Sequence, residues 1–491
     1  MSTLRSIFTN TAAVFAGRVA HMAGSFAIIL LISRALHAEG LGVYSIAIAF
    51  YTLAELTCDL GLTSFVTREL AKDLSQTNRY LIHAGVLALA SGGIVIAVLT
   101  VVISRLGYSS DTVTSIYLLW LALVPNAVRY VLGAIFISHR RADLDAYSTL
   151  IWTIARVAAS VVALRLDLGI PGIVAVYVVT SVAALLTSGY LYVRKIDTPR
   201  WEFDRGFLRS LLLGVRSFAV LAVAGSVFNQ SETVILSWFQ GATEVGFYGA
   251  AFKLVTLWYI IPQSFMSVVF PVLTQTYQHS RQRSELIQER AMKYLLALGL
   301  PIAIGGFGAA EPIIRQFYGP GFEQAILVYR LLTWHTALAF LNNVLWRVLL
   351  ARDREDLAVR VQIVSGILRI VLSFLLVPGL GALGAALALM GGYTAYTLLH
   401  VHYVRTIGAP VPLLRTGWRP AFAAAGMGGC VYVLGGQLGL VPLVGIGVVV
   451  YVALFVAIGG LSTDERELLR RGWRRLAALR SAKTAVATDA K

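Results

Sequence analysis

Residues 11–61 hold two long apolar runs, 11–32 and 41–61, joined by a short turn at 33–40. Helix rises 1.5 Å per residue, so about 20 residues cross the roughly 30 Å hydrocarbon core of a bilayer, and each run is long enough to span it. The first run nevertheless carries Arg18 and His21, and the second carries Glu55 and Asp59. A charge in hydrocarbon costs about 2.5 kcal/mol or more. A chain that keeps such groups there must bury them against other helices or in a wet cavity. The contents of that cavity are the functional question.

Runs of spanning length recur along the 491 residues, at 11–32, 41–61, 80–104, 112–138, 146–166, 171–193, 211–236, 245–273, 291–311, 324–350, 357–377, 381–404, 417–437 and 439–460. Charged residues make up only 13% of the chain, where a soluble protein carries about 25%. The sequence therefore predicts an all-α polytopic membrane protein of about 14 transmembrane helices. The first run is too long for a removable signal peptide. Cys58 and Cys430 lie in apolar runs and read as small core residues, so neither a disulfide framework, a metal site nor a cofactor is expected.

The net charge of +16 follows the loops. With the N-terminus inside, only Arg34, Arg105, Arg165 and Arg315 fall in outer loops; most other Lys and Arg lie in inner segments and the tail. That asymmetry places both termini in the cytoplasm, and no nucleic-acid partner is expected. An internal repeat supports the span count. Gly42-Val43-Tyr44 recurs 204 residues later as Gly246-Phe247-Tyr248; Ala155-Arg156-Val157 recurs as Leu368-Arg369-Ile370, and Tyr192-Val193-Arg194 as Tyr403-Val404-Arg405. Six spans separate the copies, so the halves are parallel repeats, an arrangement in which substrate sites lie at the repeat interface. The division expected is a six-helix bundle over 1–200, its repeat over 201–410, a helix pair over 411–461 and a tail over 462–491. The tail opens with a capping-box pattern, Ser462-Thr463-Asp464-Glu465, and continues as a basic amphipathic helix suited to anionic membrane lipids.

Eight cations lie inside spans: Arg18, Arg129, Arg156, Arg216, Lys253, Arg330, Arg347 and Arg369. Three acids do: Glu55, Asp59 and Glu232. Arg216 and Arg347 are close enough to a span end to snorkel. Arg18, His21 and Ser25 share one face of the first helix; Thr52, Glu55 and Asp59 share one face of the second. Depth pairs Glu55 with Arg18, Asp59 with Arg68 or solvent, and Glu232 with Lys253. Arg129, Arg156 and Arg369, near the midplane, are then left without an acid in any span; backbone carbonyls or Asn126 are the alternative partners. The guanidinium fork suits phosphate, so a deep cationic cavity implies an anionic substrate. The substrate-binding set expected is Arg18, His21, Arg129, Arg156, Lys253 and Arg369. Glu55, Asp59 and Glu232 serve as coupling or pairing acids.

Several stretches resemble the polysaccharide (O-antigen or capsule-type) flippases of the multidrug/oligosaccharidyl-lipid/polysaccharide exporter superfamily. They are Asp59-Leu60-Gly61 followed by Arg68-Glu69-Leu70-Ala71, the segment from Glu244 through Gly246-Phe247-Tyr248 to Leu254, and Tyr318-Gly319-Pro320-Gly321-Phe322; Glu232 sits where that family carries an acid. The resemblance implies two six-helix bundles facing a central cavity. It also implies alternating-access transport of an undecaprenyl-diphosphate-linked oligosaccharide to the outer leaflet of a bacterial or archaeal cytoplasmic membrane. A proton or sodium ion is a possible coupling partner, and other polysaccharide-assembly proteins are possible companions. A multidrug/cation antiporter of the same fold needs unpaired membrane carboxylates, whereas here cations outnumber acids. A membrane glycosyltransferase or polymerase needs a sizeable outer loop or an acid cluster; the outer loops are short, so no enzyme is expected.

Overall fold

In the computed structural model the chain is helical throughout the described residues. These are 2–461 with Glu465 and Glu467; only the backbone is described for 2–14, Ser217, Phe218, Val220 and Leu221. The amphipathic tail predicted beyond Ser462 therefore lies outside the described residues, apart from Glu465 and Glu467. Glu465 accepts hydrogen bonds from Lys293 Nζ at 2.7 Å and the Tyr294 hydroxyl at 2.6 Å.

Fourteen helices match the apolar runs. The first continuous helix, Ser2–Asp59, is broken at His37, where φ is 55°. The break divides it into α1 (2–36) and α2 (38–59). There follow α3 (Thr77–Leu106), α4 (Ser110–Ser138), α5 (Ala142–Arg165), α6 (Gly169–Lys195), α7 (Arg205–Gln240) and α8 (Ala242–His279). Next are α9 (Arg281–Gly308) and α10 (Glu323–Ala351). The helix Glu355–Thr406 is broken at Gly381, φ 55°, into α11 (355–380) and α12 (382–406). The last two are α13 (Leu413–Leu434) and α14 (Leu440–Ala457). α13 packs on α9, and α14 on α13.

The breaks repeat with the sequence. His37 and Gly241, both in the left-handed region (φ 55° and 81°), are separated by the same 204 residues as Gly42 and Gly246. Gly169 and Gly381, φ 59° and 55°, turn the chain before α6 and α12. Hairpin reversal needs a residue that leaves the helical basin, and glycine does so without a Cβ penalty. Asp204 starts α7 by accepting from the amides of Gly206 and Phe207, at 2.8 and 3.3 Å. Those two bonds hold its carboxyl below the usual carboxylate range.

The quoted motifs are joints. Leu60 and Gly61 both have positive φ, 48° and 72°, and end α2. Asp59 then accepts from the Thr63 amide at 3.2 Å and its hydroxyl at 2.6 Å, capping the short helix Leu62–Leu70. The pairing expected with Arg68 is replaced by this local cap; Arg68 instead meets Glu69 at 3.0 Å. The Glu244 carboxylate accepts from the Ala382 amide at 2.7 Å, tying the start of α8 to the N-terminus of α12, where the dipole favours an anion. The Tyr318 hydroxyl donates to the Ala250 carbonyl at 2.8 Å.

The two halves meet along α2 and α8, over a buried core that includes Leu41, Ile46, Phe50, Val245, Tyr248 and Phe322. A Cβ added to Gly42 would lie 1.7 Å from the Ala242 carbonyl oxygen, and one added to Gly246 would lie 2.0 Å from that of Ala38. The contact is reciprocal, and it lies at one end of the space between the halves. Gly246→Ala is expected to cost about 1–3 kcal/mol by overpacking. A thermal melt of the detergent-purified protein checks this against Gly93→Ala, where a Cβ meets nothing within 4 Å. Equal melting of the two variants would refute the close approach.

Candidate functional site

A cavity of about 360 Å³ lies between the halves, walled by α1, α2, α5 and α6 on one side and by α7 and α8 on the other. His21, Arg156 and Lys253 line it, with Glu55. Of the sequence-predicted substrate residues, these three come together. Arg18 is exposed and lines none of the described cavities.

Arg156 projects from α5 onto α6. Its Nε donates to the Thr180 hydroxyl at 2.9 Å, and Nη2 to the Ser181 hydroxyl at 3.4 Å. Its guanidinium carbon lies 3.8 Å from the Tyr177 ring centroid, a cation–π contact. All three partners are neutral. Among the described residues Arg156 has no carboxylate partner, and its Nη1 has no acceptor. Lys253, on α8, donates from Nζ to the Ser25 hydroxyl on α1 at 2.7 Å, so it bridges the halves without being neutralised.

The acids are placed differently from the expectation. Glu232 takes Arg369, not Lys253: Nε to Oε1 and Nη2 to Oε2 are both 2.7 Å, a fork-on-carboxylate pair. Arg369 is therefore neutralised, and it faces a second cavity inside the C-terminal half. The partners are 137 residues apart, and which faces of α7 and α11 meet is not readable from depth alone. Arg129 also has an acid, Asp145, at 3.3 Å, and the Asn126 amide oxygen at 3.5 Å. Asp145 was missed because α5 begins at Ala142, ahead of the apolar run at 146. Glu55 does not pair with Arg18. It accepts from the hydroxyls of Tyr51 and Tyr130, the latter at 2.9 Å, and Tyr51 in turn accepts from Asn126 at 2.7 Å. Of the two cations given a snorkelling role, Arg216 is exposed, whereas Arg347 is half-buried over the Phe270 ring.

The cavity also exposes groups that charge counting overlooked, among them Tyr44, Thr52, Thr153, Gln230 and Thr233. The signal available was polar residues recurring within apolar runs. Apart from Arg156 and Arg369, the charges inside the spans do not repeat between halves. At the 204-residue offset Lys253 corresponds to Ala49, and Glu232 to Ile28. The arrangement is a wet space with two uncompensated cations from opposite halves, suited to holding an anion by charge and by several modest hydrogen bonds.

Comparison with known proteins supports the fold. The family described as lipid II flippase MurJ matches residues 199–434. A probable low-salt glycan biosynthesis flippase, Agl15, of Haloferax volcanii is 22% identical over 79% of this chain and 82% of its own. Stage V sporulation protein B of Bacillus subtilis is 24% identical over 80% of this chain and 82% of its own. Among solved structures, lipid II flippase MurJ in an inward closed conformation superposes with a TM-score of 0.72 at 16% identity, covering 94% of this chain and all of that one. An inward-facing multidrug resistance MATE transporter of the MOP superfamily gives 0.67 at 14% identity, covering 80% of this chain and 98% of that one. The family described as polysaccharide biosynthesis protein matches residues 7–277, which is more than half of the sequence. With two repeated helical halves around a cationic cavity, the chain belongs to the polysaccharide biosynthesis protein family.

Proposed function

We propose that this protein is a flippase that carries a lipid-linked oligosaccharide diphosphate, of the undecaprenyl type, from the inner to the outer leaflet by alternating access. The observation that carries the reading is the pair Arg156 and Lys253. Each faces the cavity between the halves, and neither has a carboxylate partner among the described residues. A diphosphate leaving water needs replacement donors, and a charge-assisted bond to a phosphate oxygen supplies them. The movement needs no covalent step. The flippase names of the relatives in Haloferax volcanii and the MurJ family support the same reading. The multidrug antiporter keeps one argument: Glu55 faces the cavity with only hydroxyl partners. In the flippase reading that carboxylate is the place for a coupling proton or sodium ion.

The direct test is reconstitution in liposomes carrying a fluorescent undecaprenyl-diphosphate disaccharide. Quencher added outside should reach the inner-leaflet pool faster with protein than without; equal rates would sink the proposal. The membrane meant is the cytoplasmic membrane of a bacterium or archaeon, with both termini inside. Reporter fusions after Arg200 and Ser284 should then read cytoplasmic, and fusions at Thr243 and Gly319 should read outside. A cytoplasmic Thr243 would invert the orientation and place the Gly42–Gly246 contact on the wrong face.

A further inference from the structure

The second cavity, about 370 Å³, lies wholly within the C-terminal half, between α7, α8, α10, α11 and α12. Its chemistry differs from that of the first. Its one charged lining group is Arg369, already neutralised by Glu232. The rest of its polar lining is dominated by amides: Asn229, Gln263, Asn342, Asn343 and Gln362. Its walls include Trp346, Tyr259, Tyr393 and Tyr396.

Most of these amides are unsatisfied. Among the described residues Asn229, Gln263 and Gln362 have no hydrogen-bond partner, and Asn343 makes only a long bond to its own helix, 3.4 Å to the Ala339 carbonyl. Asn342 is 4% exposed; its amide nitrogen donates to the Thr397 hydroxyl at 2.8 Å, while its Oδ1 has no partner. Asn229 and Gln263 are exposed to this space and Gln362 is half-buried, so their amides are free to bond whatever fills it. Three free amides and the spare acceptor of Asn342 in one cavity mark a space that holds water or a hydroxyl-rich ligand. Each amide offers both a donor and an acceptor, which matches a sugar hydroxyl, itself both. Aromatic faces beside the amides suit the apolar C–H face of a pyranose ring. A phosphate would find no uncompensated cation there.

The two cavities share a wall. On α7 the consecutive residues Gln230 and Asn229 open into the first and the second. On α8, Lys253 and Thr256 line the first, whereas Tyr259, within one helical turn of Thr256, and Gln263 line the second. We propose that the second cavity is a glycan subsite: it takes a neutral pyranose residue while the attached diphosphate sits at Arg156 and Lys253. The inference rests on the flippase reading and adds where the sugar is recognised and by what. Specificity for the glycan then resides in the C-terminal half, and affinity for the diphosphate at the interface.

The test measures binding of two probes to the detergent-purified full chain: farnesyl diphosphate, and farnesyl diphosphate carrying one N-acetylglucosamine. Wild-type protein should bind the glycosylated probe about tenfold more tightly. Asn229→Leu with Gln362→Leu should erase that preference and leave farnesyl diphosphate binding unchanged. Arg156→Ala should weaken both probes. Equal binding of the two probes to wild type overturns the glycan subsite, as does an equal loss of both probes in the double variant when its melting temperature matches wild type. A melting temperature lowered in the double variant, with the sugar preference intact, also overturns it, since the amides are then structural. Failure of wild type to bind farnesyl diphosphate at all is a different outcome: it removes the diphosphate reading itself, and the subsite with it.

Discussion

Arg156→Ala is expected to abolish glycan export while leaving the protein at its normal level in the membrane. The argument lies in what the side chain touches. Its partners keep their own bonds when it is removed: the Thr180 hydroxyl already donates to the carbonyls of Val176 and Tyr177, at 2.8 and 3.0 Å. The space left opens into a wet cavity, so no buried acid is stranded and no dry void is made. The diphosphate, by contrast, loses a charge-assisted donor. Such bonds contribute about 1.5–3 kcal/mol, equivalent to roughly 10–100-fold in affinity. Arg156→Lys keeps the charge but not the fork or the flat face over Tyr177, and should recover only part of the export. Surface glycan and membrane abundance, measured on the same cells, decide the matter. Normal export by the alanine variant refutes the role, and a defect explained by lost protein makes Arg156 a scaffold residue.

Glu232→Ala should have the opposite signature, with protein lost first and transport lost as a consequence. The Glu232 side chain is 2% exposed and Arg369 11%, so removing the acid leaves a largely buried guanidinium with no anionic partner among the described residues. Breaking a buried pair costs about 3–5 kcal/mol, against total stabilities of roughly 5–15 kcal/mol. Replacing both partners with apolar residues of similar bulk, Glu232→Leu with Arg369→Met, should restore abundance, because the pair is costly to break but not to replace. Immunoblots of the single and double variants read this directly. Wild-type levels of Glu232→Ala would mean that the adjoining cavity solvates Arg369 well enough to replace the acid.

These two arginines occupy repeat-equivalent positions, and the sequence gives them the same expectation. Hydropathy and loop charge made the number of crossings and the repeat legible, because both depend on composition along one chain. The motifs were legible as landmarks, but their work is local: Asp59 caps a helix, Gly61 ends one, and Glu244 holds the start of α12. Partnership was not legible. Depth suggested a pair of Glu55 with Arg18, yet the Glu55 carboxylate turns toward Tyr130 on α4. Asp145 lay just outside an apolar window and so never entered the count of acids. Neutral polar groups such as Thr180 and Gln362 also escaped a search organised by charge. Which residues share a cavity depends on helix rotation, and rotation is set by packing between segments more than a hundred residues apart.

The reciprocal contact of Gly42 with Ala242 and of Gly246 with Ala38 has the form of an isologous dimer interface folded into a single chain. Residue i of one copy meets residue j of the other, and j meets i. Such a joint carries its specification twice, so a bulky side chain at either glycine pries apart the same pair of backbones. It also ties both halves to one rotation axis. A rocking motion of the halves about that axis would open or shut both close contacts in the same stroke. The charged interior breaks that symmetry: the counterpart of Lys253 is Ala49, and the repeat-equivalent Arg156 and Arg369 line different cavities. A symmetric hinge thus moves an asymmetric cargo chamber.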